Sequence, residues 1–198
     1  MNNLDVVAAI IIAYVFGSLS SAIIVCKLMG FPDPRTRGSG NPGTTNVLRI
    51  GGKTAAVFTL LGDVLKGVIP VLLARWYGVL PIGLVLVVLA AFLGHLYPVF
   101  FRFQGGKGVA TALGGIIALA WPVGVMLIAT WLFVALCFRY SSLAALISAL
   151  LAPFYTWYFT NRFYAAVIVL MSMLLIYRHR NNIRNLWMGK ESKLAEKI

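Results

Sequence analysis

Three short polar segments carry most of the side chains that could do chemistry in a chain that is 61% hydrophobic. They read GSGNPGTTNVLR at 38–49, GGKGVAT at 105–111 and RHRNNI at 178–183. Each combines Lys or Arg with glycine, hydroxyl, amide or imidazole groups. Backbone N–H groups, hydroxyls and fixed positive charges are the groups with which proteins bind phosphate. The composition of the segments therefore indicates an anion site.

The first segment is suited to surrounding a phosphate. Its glycines allow several backbone N–H groups to point at one anion, and Arg49 supplies a planar fork for phosphate oxygens. A flexible polar linker is the alternative, but the helix start at Thr-Thr-Asn favours a shaped loop. The candidate binding residues are Gly38, Ser39, Gly40, Asn41, Thr45, Asn46 and Arg49.

The second segment is a glycine-rich turn that opens a helix, which is a common anion cradle. Gly105, Gly106 and Gly108 allow close backbone approach, and Lys107 adds a point charge. The alternative is that the segment is only a tight turn between two helices. Lys107 would then be present only because basic residues concentrate in the cytoplasmic loops of membrane proteins. The segment lacks the GxxxxGK[ST] pattern of a Walker loop.

In the third segment, His179 and Asn182 are three residues apart and share one face if the helix continues. We interpret them as substrate contacts, although a histidine at a membrane boundary is often only a satisfied interfacial residue.

Two charges fall inside an apolar run. Asp63 and Lys66 are three residues apart, so they can pair on one helical face. Charges within a membrane are candidates for function, and a pair that only fixes helix packing is the alternative. His95 lies in the next apolar run, and we interpret it as a packing or network residue that supports the site together with this pair.

The environment of these segments follows from composition. A mean hydropathy of +0.91 with 11% charged residues indicates an integral membrane protein, and 198 residues indicate one domain, 1–198. No basic stretch precedes the first apolar run, so we expect that helix to be retained. The two cysteines are isolated and predict neither a disulfide nor a metal site.

Apolar runs predict spans at 4–26, 54–74, 79–101, 142–160 and 163–178, and residues 109–138 cross twice around Trp121 and Pro122. This arrangement gives about seven transmembrane helices, some short or partly crossing, with the N-terminus outside and the C-terminus cytoplasmic. Of the 17 Lys and Arg residues, Arg75 and Arg162 then lie outside, Lys66 lies within a span, and the others, including Lys197, are cytoplasmic. All three polar segments reach the same face.

The net charge of +12 is explained by this topology and by contact with anionic membrane lipids. Nucleic-acid binding is not indicated, because the basic residues lie in short loops without a soluble module to present them.

The ordered set GSGNPGTTNVLR, GGKGVAT and RHRNNI, followed by GKE, resembles the bacterial acyl-phosphate:glycerol-3-phosphate acyltransferases, the PlsY type. The similarity covers essentially the whole chain, including GSLSSAIIVCKL, LGDVLKG and LGHLYPVFFRFQGGKG. Two positions depart from the family pattern: Thr44 replaces the usual Ala, and Asn185 stands where an Arg is expected.

The resemblance implies a multi-pass enzyme of the bacterial inner membrane with its active site facing the cytoplasm. Such an enzyme transfers a fatty acyl chain from acyl phosphate to the 1-hydroxyl of glycerol 3-phosphate in phospholipid biosynthesis, and it uses no acyl-CoA, metal or other cofactor. The chain also lacks the HxxxxD pattern of other glycerolipid acyltransferases after His95 and His179. The oligomeric state stays open and is compatible with a monomer.

We hypothesise that residues 38–41 and Lys107 hold the acyl phosphate, while Arg49, His179 and Asn182 orient glycerol 3-phosphate. The candidate catalytic residues are Ser39, Lys107 and His179. The proton acceptor is either His179 or the donor phosphate, and direct transfer is preferred to a covalent intermediate on Ser39. The competing class is a membrane carrier of an organic phosphate or anionic lipid, which would place its binding groups near the bilayer centre.

Overall fold

The structure is a computed structural model that describes residues 3–194, and this part of the chain is helical without any strand. Lys197 lies outside the described residues. The all-α prediction is confirmed. The helices are α1 Asn3–Gly17, α2 Ser21–Leu28, α3 Thr44–Trp76, α4 Pro81–Leu96, α5 Val109–Leu119, α6 Trp121–Phe138, α7 Ser141–Phe159, α8 Arg162–Arg178 and α9 Arg180–Trp187.

Within residues 3–194, four segments are long and apolar enough to cross a membrane alone: α3, α4 with the 3-10 turn that follows it, α6 and α7. The pairs α1–α2 and α8–α9 qualify as bent spans, with bends of 40° and 58°. Residues 109–138 form two helices, as the sequence predicts. The first, α5, has 11 residues, or about 16 Å at 1.5 Å per residue, which is too short for a hydrocarbon core of about 30 Å.

Two helix boundaries differ from the sequence prediction. The first predicted span is broken at residues 18–20, and the carbonyl of Leu19 released there accepts a hydrogen bond from Lys66 Nζ at 2.8 Å. The second predicted span, 54–74, is the later part of a longer helix: α3 begins at Thr44, where Thr-Thr-Asn predicts a helix start, and has a kink at Gly52, whose φ is +76°. Hydropathy does not reveal the break in the first span, because the carbonyl that it frees is bound by a distant buried lysine. It does not reveal the start of α3 either, because residues 44–53 are helical but largely polar.

Close contact between α3 and α5 positions the polar loops. A Cβ atom at Gly67 would collide with the backbone of Thr111, and one at Gly114 would collide with the backbone of Val64. Such small residues let membrane helices approach closely. The contact holds the start of α5 beside the middle of α3.

Candidate active site

One cavity of about 490 Å³ brings the three polar segments together. Its lining includes the predicted residues Ser39, Asn41, Thr45, Asn46, Arg49, Lys107, Gly108, His179 and Asn182. Asp63 and His95 also line it, whereas Gly38, Gly40, Gly105, Gly106 and Lys66 do not. Residues separated by more than 100 positions in sequence thus share one binding space.

Three helices begin at this cavity. Thr44 starts α3, Val109 starts α5 and Ser141 starts α7, and all three residues line it. The first turn of a helix presents backbone N–H groups without intrahelical partners and a partial positive charge. Three such ends beside Arg49 and Lys107 make the cavity strongly attractive to anions.

Asn46 holds the first loop in shape. Its side chain is almost fully buried, its Oδ1 accepts a hydrogen bond from the Ser39 N–H at 2.9 Å, and its Nδ2 donates to Pro34 O and Arg37 O at 2.8 and 3.0 Å. Gly38 has φ +58°, and a Cβ there would collide with Asn46 Oδ1. The amide of Asn46 is therefore engaged within the loop, while Ser39 and Asn41 face the cavity.

Arg178 holds the second loop, residues 105–108, in place through hydrogen bonds to its backbone. Its guanidinium donates to Gly105 O at 2.6 Å and to Gly106 O at 3.1 Å, and the Gly106 N–H donates to His95 O at 3.2 Å. A Cβ at Gly106 would collide with the His95 ring. These two glycines serve close packing, and Lys107 and Gly108 are the residues of the loop that reach the cavity.

A chain of polar contacts joins Lys107 to the C-terminal segment. Lys107 Nζ donates to Asn182 Oδ1, and Asn182 Nδ2 and Ser142 Oγ donate to Glu191 Oε1 at 2.7 and 2.6 Å. Burial lowers the pKa of Lys107 to about 8; the Glu191 carboxylate opposes this shift, and two neighbouring arginines add to it. At pH 7 Lys107 is therefore still a charged donor, held in place by Asn182, but a small rise in pH removes its proton.

Arg49 has an unused donor. Its Nη2 donates to Ser192 O at 3.4 Å, but its Nε is buried and has no hydrogen-bond partner among the described residues. A buried guanidinium N–H without an acceptor is costly, and such groups are usually paired in native structures. Because Arg49 lines the cavity, a bound anion would supply the missing acceptor.

His179 lies in the bend between α8 and α9, outside the apolar span. Its Nδ1 is 2.8 Å from Leu175 O, and a carbonyl only accepts, so Nδ1 carries the hydrogen and Nε2 is the acceptor. Burial lowers the pKa of His179 to about 4, and the charge of Lys107 acts in the same direction. The imidazole is therefore neutral at pH 7. The helix does not continue straight, yet His179 and Asn182 both line the cavity.

The intramembrane charges pair with one another at the wall of the cavity, where Asp63 and His95 line it. Lys66 Nζ is 2.8 Å from Asp63 Oδ1, and the two residues are 3% and 2% exposed. His95 Nδ1 lies 3.7 Å from the same carboxylate and 3.2 Å from Thr111 Oγ1. The predicted pairing is confirmed, and His95 belongs to the network as expected.

Sequence reasoning missed two contributors, Ser142 and Glu191. Ser142 lies between two apolar runs with a single basic neighbour, Arg139, and no glycine nearby, so its surroundings resemble an ordinary turn between two spans. Glu191 belongs to the GKE that follows the third segment. That motif was a usable signal, because an acidic residue is rare in a chain with five Asp and Glu residues.

Comparison with known proteins gives a consistent result. Residues 7–189 match the sequence model of a family described as glycerol-3-phosphate acyltransferase. A glycerol-3-phosphate acyltransferase of Proteus mirabilis is 56% identical over 189 residues, covering 96% of this chain and 86% of the relative. One from Methylococcus capsulatus is 56% identical over 186 residues, covering 93% and 94%.

Two solved structures are similar in fold. Both are crystal structures of PlsY, an integral membrane glycerol 3-phosphate acyltransferase. Its glycerol 3-phosphate form has a TM-score of 0.90 and 39% identity, and its lysophosphatidic acid form has 0.85 and 37%. Each match covers 95% of this chain and 94% of the other.

Proposed function

This chain belongs to the glycerol-3-phosphate acyltransferase family, and from this premise we propose that it transfers a fatty acyl group from acyl phosphate to the 1-hydroxyl of glycerol 3-phosphate. The products are lysophosphatidic acid and inorganic phosphate. The observation that carries the proposal is the single cavity in which Arg49 and Lys107 face three helix N-termini. Both substrates of this reaction bring a phosphoryl group, so one cavity must hold two anions.

The cavity also has an apolar side that suits an acyl donor. Leu60 of α3 and Ile128 and Leu132 of α6 line it, and each is between 37% and 48% exposed on an apolar helix. A substrate with a phosphate head and an alkyl tail can place its head among the cations while its tail stays in apolar surroundings.

We assign the acyl phosphate to Lys107 of the second loop and to Ser39 and Asn41 of the first loop, which is shaped by Gly38 and Gly40. Glycerol 3-phosphate is oriented by Arg49, His179 and Asn182. The unpartnered Nε of Arg49 supports the second assignment, because a phosphate oxygen would satisfy it. Two charged donors in a partly desolvated site contribute about 1.5 to 3 kcal/mol each.

In the chemical step the 1-hydroxyl oxygen attacks the acyl carbon. A C–O ester bond forms, the bond from the acyl carbon to the phosphate oxygen breaks, and the phosphate leaves with its electron pair. His179 Nε2 accepts a hydrogen bond from the hydroxyl and aligns it. The proton passes to the departing phosphate, since an imidazolium beside Lys107 is disfavoured by the low pKa of His179.

Direct transfer is favoured over an acyl-enzyme at Ser39. The Ser39 N–H is bound by Asn46, and no histidine or carboxylate hydrogen-bonds its hydroxyl within residues 3–194. A serine nucleophile needs such a base. The donor is already an activated anhydride, so positioning and stabilisation of charge are sufficient.

We further propose that the enzyme lies in the bacterial inner membrane, with the cavity on the cytoplasmic side, and that its product enters phospholipid biosynthesis. The concentration of basic residues in the loops around the cavity supports this orientation. A monomer already contains every residue assigned to the site.

The direct test supplies purified protein in detergent with palmitoyl phosphate, glycerol 3-phosphate and a metal chelator. Lysophosphatidic acid and phosphate in equal amounts support the proposal, and palmitoyl-CoA replaces palmitoyl phosphate in the control. Product formed with palmitoyl-CoA but not with palmitoyl phosphate would show that the donor is an acyl-CoA. Absence of product together with uptake of glycerol 3-phosphate into vesicles would favour a carrier.

A further inference from the structure

The short helix α9 has an outer face that no other part of the described chain covers. Arg180, Ile183 and Trp187 are spaced three and four residues apart, so they form one stripe along the helix. All three side chains are exposed, and Trp187 is 92% exposed. Tryptophan is highly buried on average in folded proteins. A stripe that exposes one to this extent therefore indicates a contact outside the chain.

The helix α9 lies at the level of the lipid headgroups. The preceding helix α8 has 17 residues, or about 25 Å at 1.5 Å per residue, so it spans most of a hydrocarbon core of about 30 Å. The axis of α9 then leaves that of α8 with a bend of 58°. A helix that turns away at the end of a span runs closer to the membrane surface than the span does.

The chemistry of the stripe suits anionic headgroups. The guanidinium carbon of Arg180 lies 4.8 Å from the centre of the Tyr177 ring, and Tyr177 is exposed on α8 next to the lipid-facing Met173. Tyrosine and tryptophan are enriched at headgroup level, and basic residues there attract anionic lipids. Residues 178–190 include Arg and Lys but no Asp or Glu. Both the charge and the continuity with α8 favour a bilayer surface over a soluble protein.

The opposite side of α9 faces the reaction site. Asn182 is two residues from Arg180, or about 200° around the helix, and its amide contacts Lys107 and Glu191. No residue of α9 is buried, so few contacts within the protein hold this helix in place. Helices of this length are marginally stable on their own. A contact on the outer face would therefore steady Asn182 on the inner one.

We propose that the stripe of Arg180, Ile183 and Trp187, extended by Tyr177, binds a bilayer surface that contains anionic lipid, and that this contact holds Asn182 against Lys107. The lipid contact goes beyond the proposed function, whereas its effect on catalysis rests on it. In the orientation proposed above, the stripe meets the cytoplasmic leaflet, whose surface is negatively charged.

The first test measures hydrogen–deuterium exchange in the full-length protein, in nanodiscs of phosphatidylcholine alone and of equal parts phosphatidylcholine and phosphatidylglycerol. We expect the amides of residues 183–187 to exchange about fivefold more slowly with phosphatidylglycerol, the effect of one basic residue near an anionic surface. Arg180→Gln and Trp187→Ser should lose this protection, and Arg180→Lys should keep it. The controls are Arg162→Gln and Trp157→Ser, at exposed positions near the start of α8 and the end of α7, and they should behave as wild type.

The second test measures kcat/KM for palmitoyl phosphate in the same two kinds of nanodisc, with saturating glycerol 3-phosphate. Wild type and the two controls should gain about fivefold from phosphatidylglycerol, in step with the protection of α9. Arg180→Gln and Trp187→Ser should gain little. The unfolding temperature in detergent shows that each variant is folded, and Trp187→Thr replaces Trp187→Ser if the serine variant is not.

Equal exchange of α9 in the two kinds of nanodisc would overturn the lipid assignment. Protection that grows with protein concentration in lipid-free detergent would also overturn it, because the occupant would then be a second copy of the chain. Protection by phosphatidylglycerol without a change in kcat/KM would overturn the link to the site. Wild-type protein that makes no lysophosphatidic acid in any medium would overturn the proposed function, while exchange would still report on the lipid contact.

Discussion

Two groups of buried charges lie close together and differ in one respect. In the cluster of Asp63, Lys66 and His95 the opposite charges balance each other: the lysine pairs with the aspartate at 2.8 Å and also donates to a backbone carbonyl. Around Arg49 and Lys107 positive charge is in excess: Lys107 has the Glu191 carboxylate nearby, and the Nε of Arg49 has no hydrogen-bond partner among the described residues. Burial of charge alone does not mark a binding site, whereas an unbalanced positive charge does.

If this distinction is correct, Asp63 and Lys66 govern stability, and Arg49 and Lys107 govern catalysis. Substitutions in the two groups should then separate the two properties.

The largest effect should come from Lys66→Met, which leaves Asp63 buried without its partner. Removing one member of a buried ion pair costs about 3 to 5 kcal/mol. We expect the free energy of unfolding in detergent to fall by that amount, and the double variant Asp63→Asn/Lys66→Met to recover a large part of it. Lys27→Met, at an exposed lysine, is the control. Equal loss in the single and double variants would show that the pair is not the source of stability.

Lys107→Met should act in the opposite way. Loss of a charge-assisted contact of about 1.5 to 3 kcal/mol predicts a fall in kcat/KM of about 10- to 100-fold, with thermal unfolding close to wild type. Lys53→Met, an exposed lysine on α3, should retain activity. Full activity of Lys107→Met would remove this residue from the site.

Arg49→Lys keeps the charge and removes the planar fork. We expect the KM for glycerol 3-phosphate to rise about fivefold, the equivalent of about 1 kcal/mol for one lost hydrogen bond, while kcat changes little. Arg184→Lys, on an exposed face of α9, is the matched control. If only the KM for acyl phosphate changed, Arg49 would be assigned to acyl phosphate and not to glycerol 3-phosphate.

The smallest effect is a pH dependence. The pKa of Lys107 is lowered to about 8, so rising pH removes its charge in the free enzyme. Between pH 7 and 8 kcat/KM should fall to about half and then continue downward, because kcat/KM follows ionisation of the free enzyme. Lys107→Met should lack this decline, and a decline that persists in the variant would assign it to another group.

The sequence predicts much of this arrangement because the membrane restricts it. Apolar length and the distribution of Lys and Arg indicate the helices and bring the three polar segments to one face. The start of α3 at Thr44 and of α5 at Val109 follow from local helix signals, and the Asp63–Lys66 pair follows from its spacing.

What the sequence could not predict depends on tertiary contacts. The break at residues 18–20 exists because Lys66 compensates the carbonyl of Leu19, and the residues involved lie 47 positions apart. Ser142 enters the site because α7 begins there, and the role of Glu191 requires the C-terminal segment to return over α7. Gly105 and Gly106 looked like ligand-binding glycines but pack against Arg178 and His95, since a glycine-rich loop has the same composition in either use.

Direct transfer requires one cavity to hold two phosphoryl groups at the same time. Initial rates measured over a grid of palmitoyl phosphate and glycerol 3-phosphate concentrations distinguish this from an acyl-enzyme route. We expect double-reciprocal lines that intersect, because both substrates must be bound before the acyl group moves. Parallel lines, together with an acyl group retained on the protein when glycerol 3-phosphate is omitted, would contradict it.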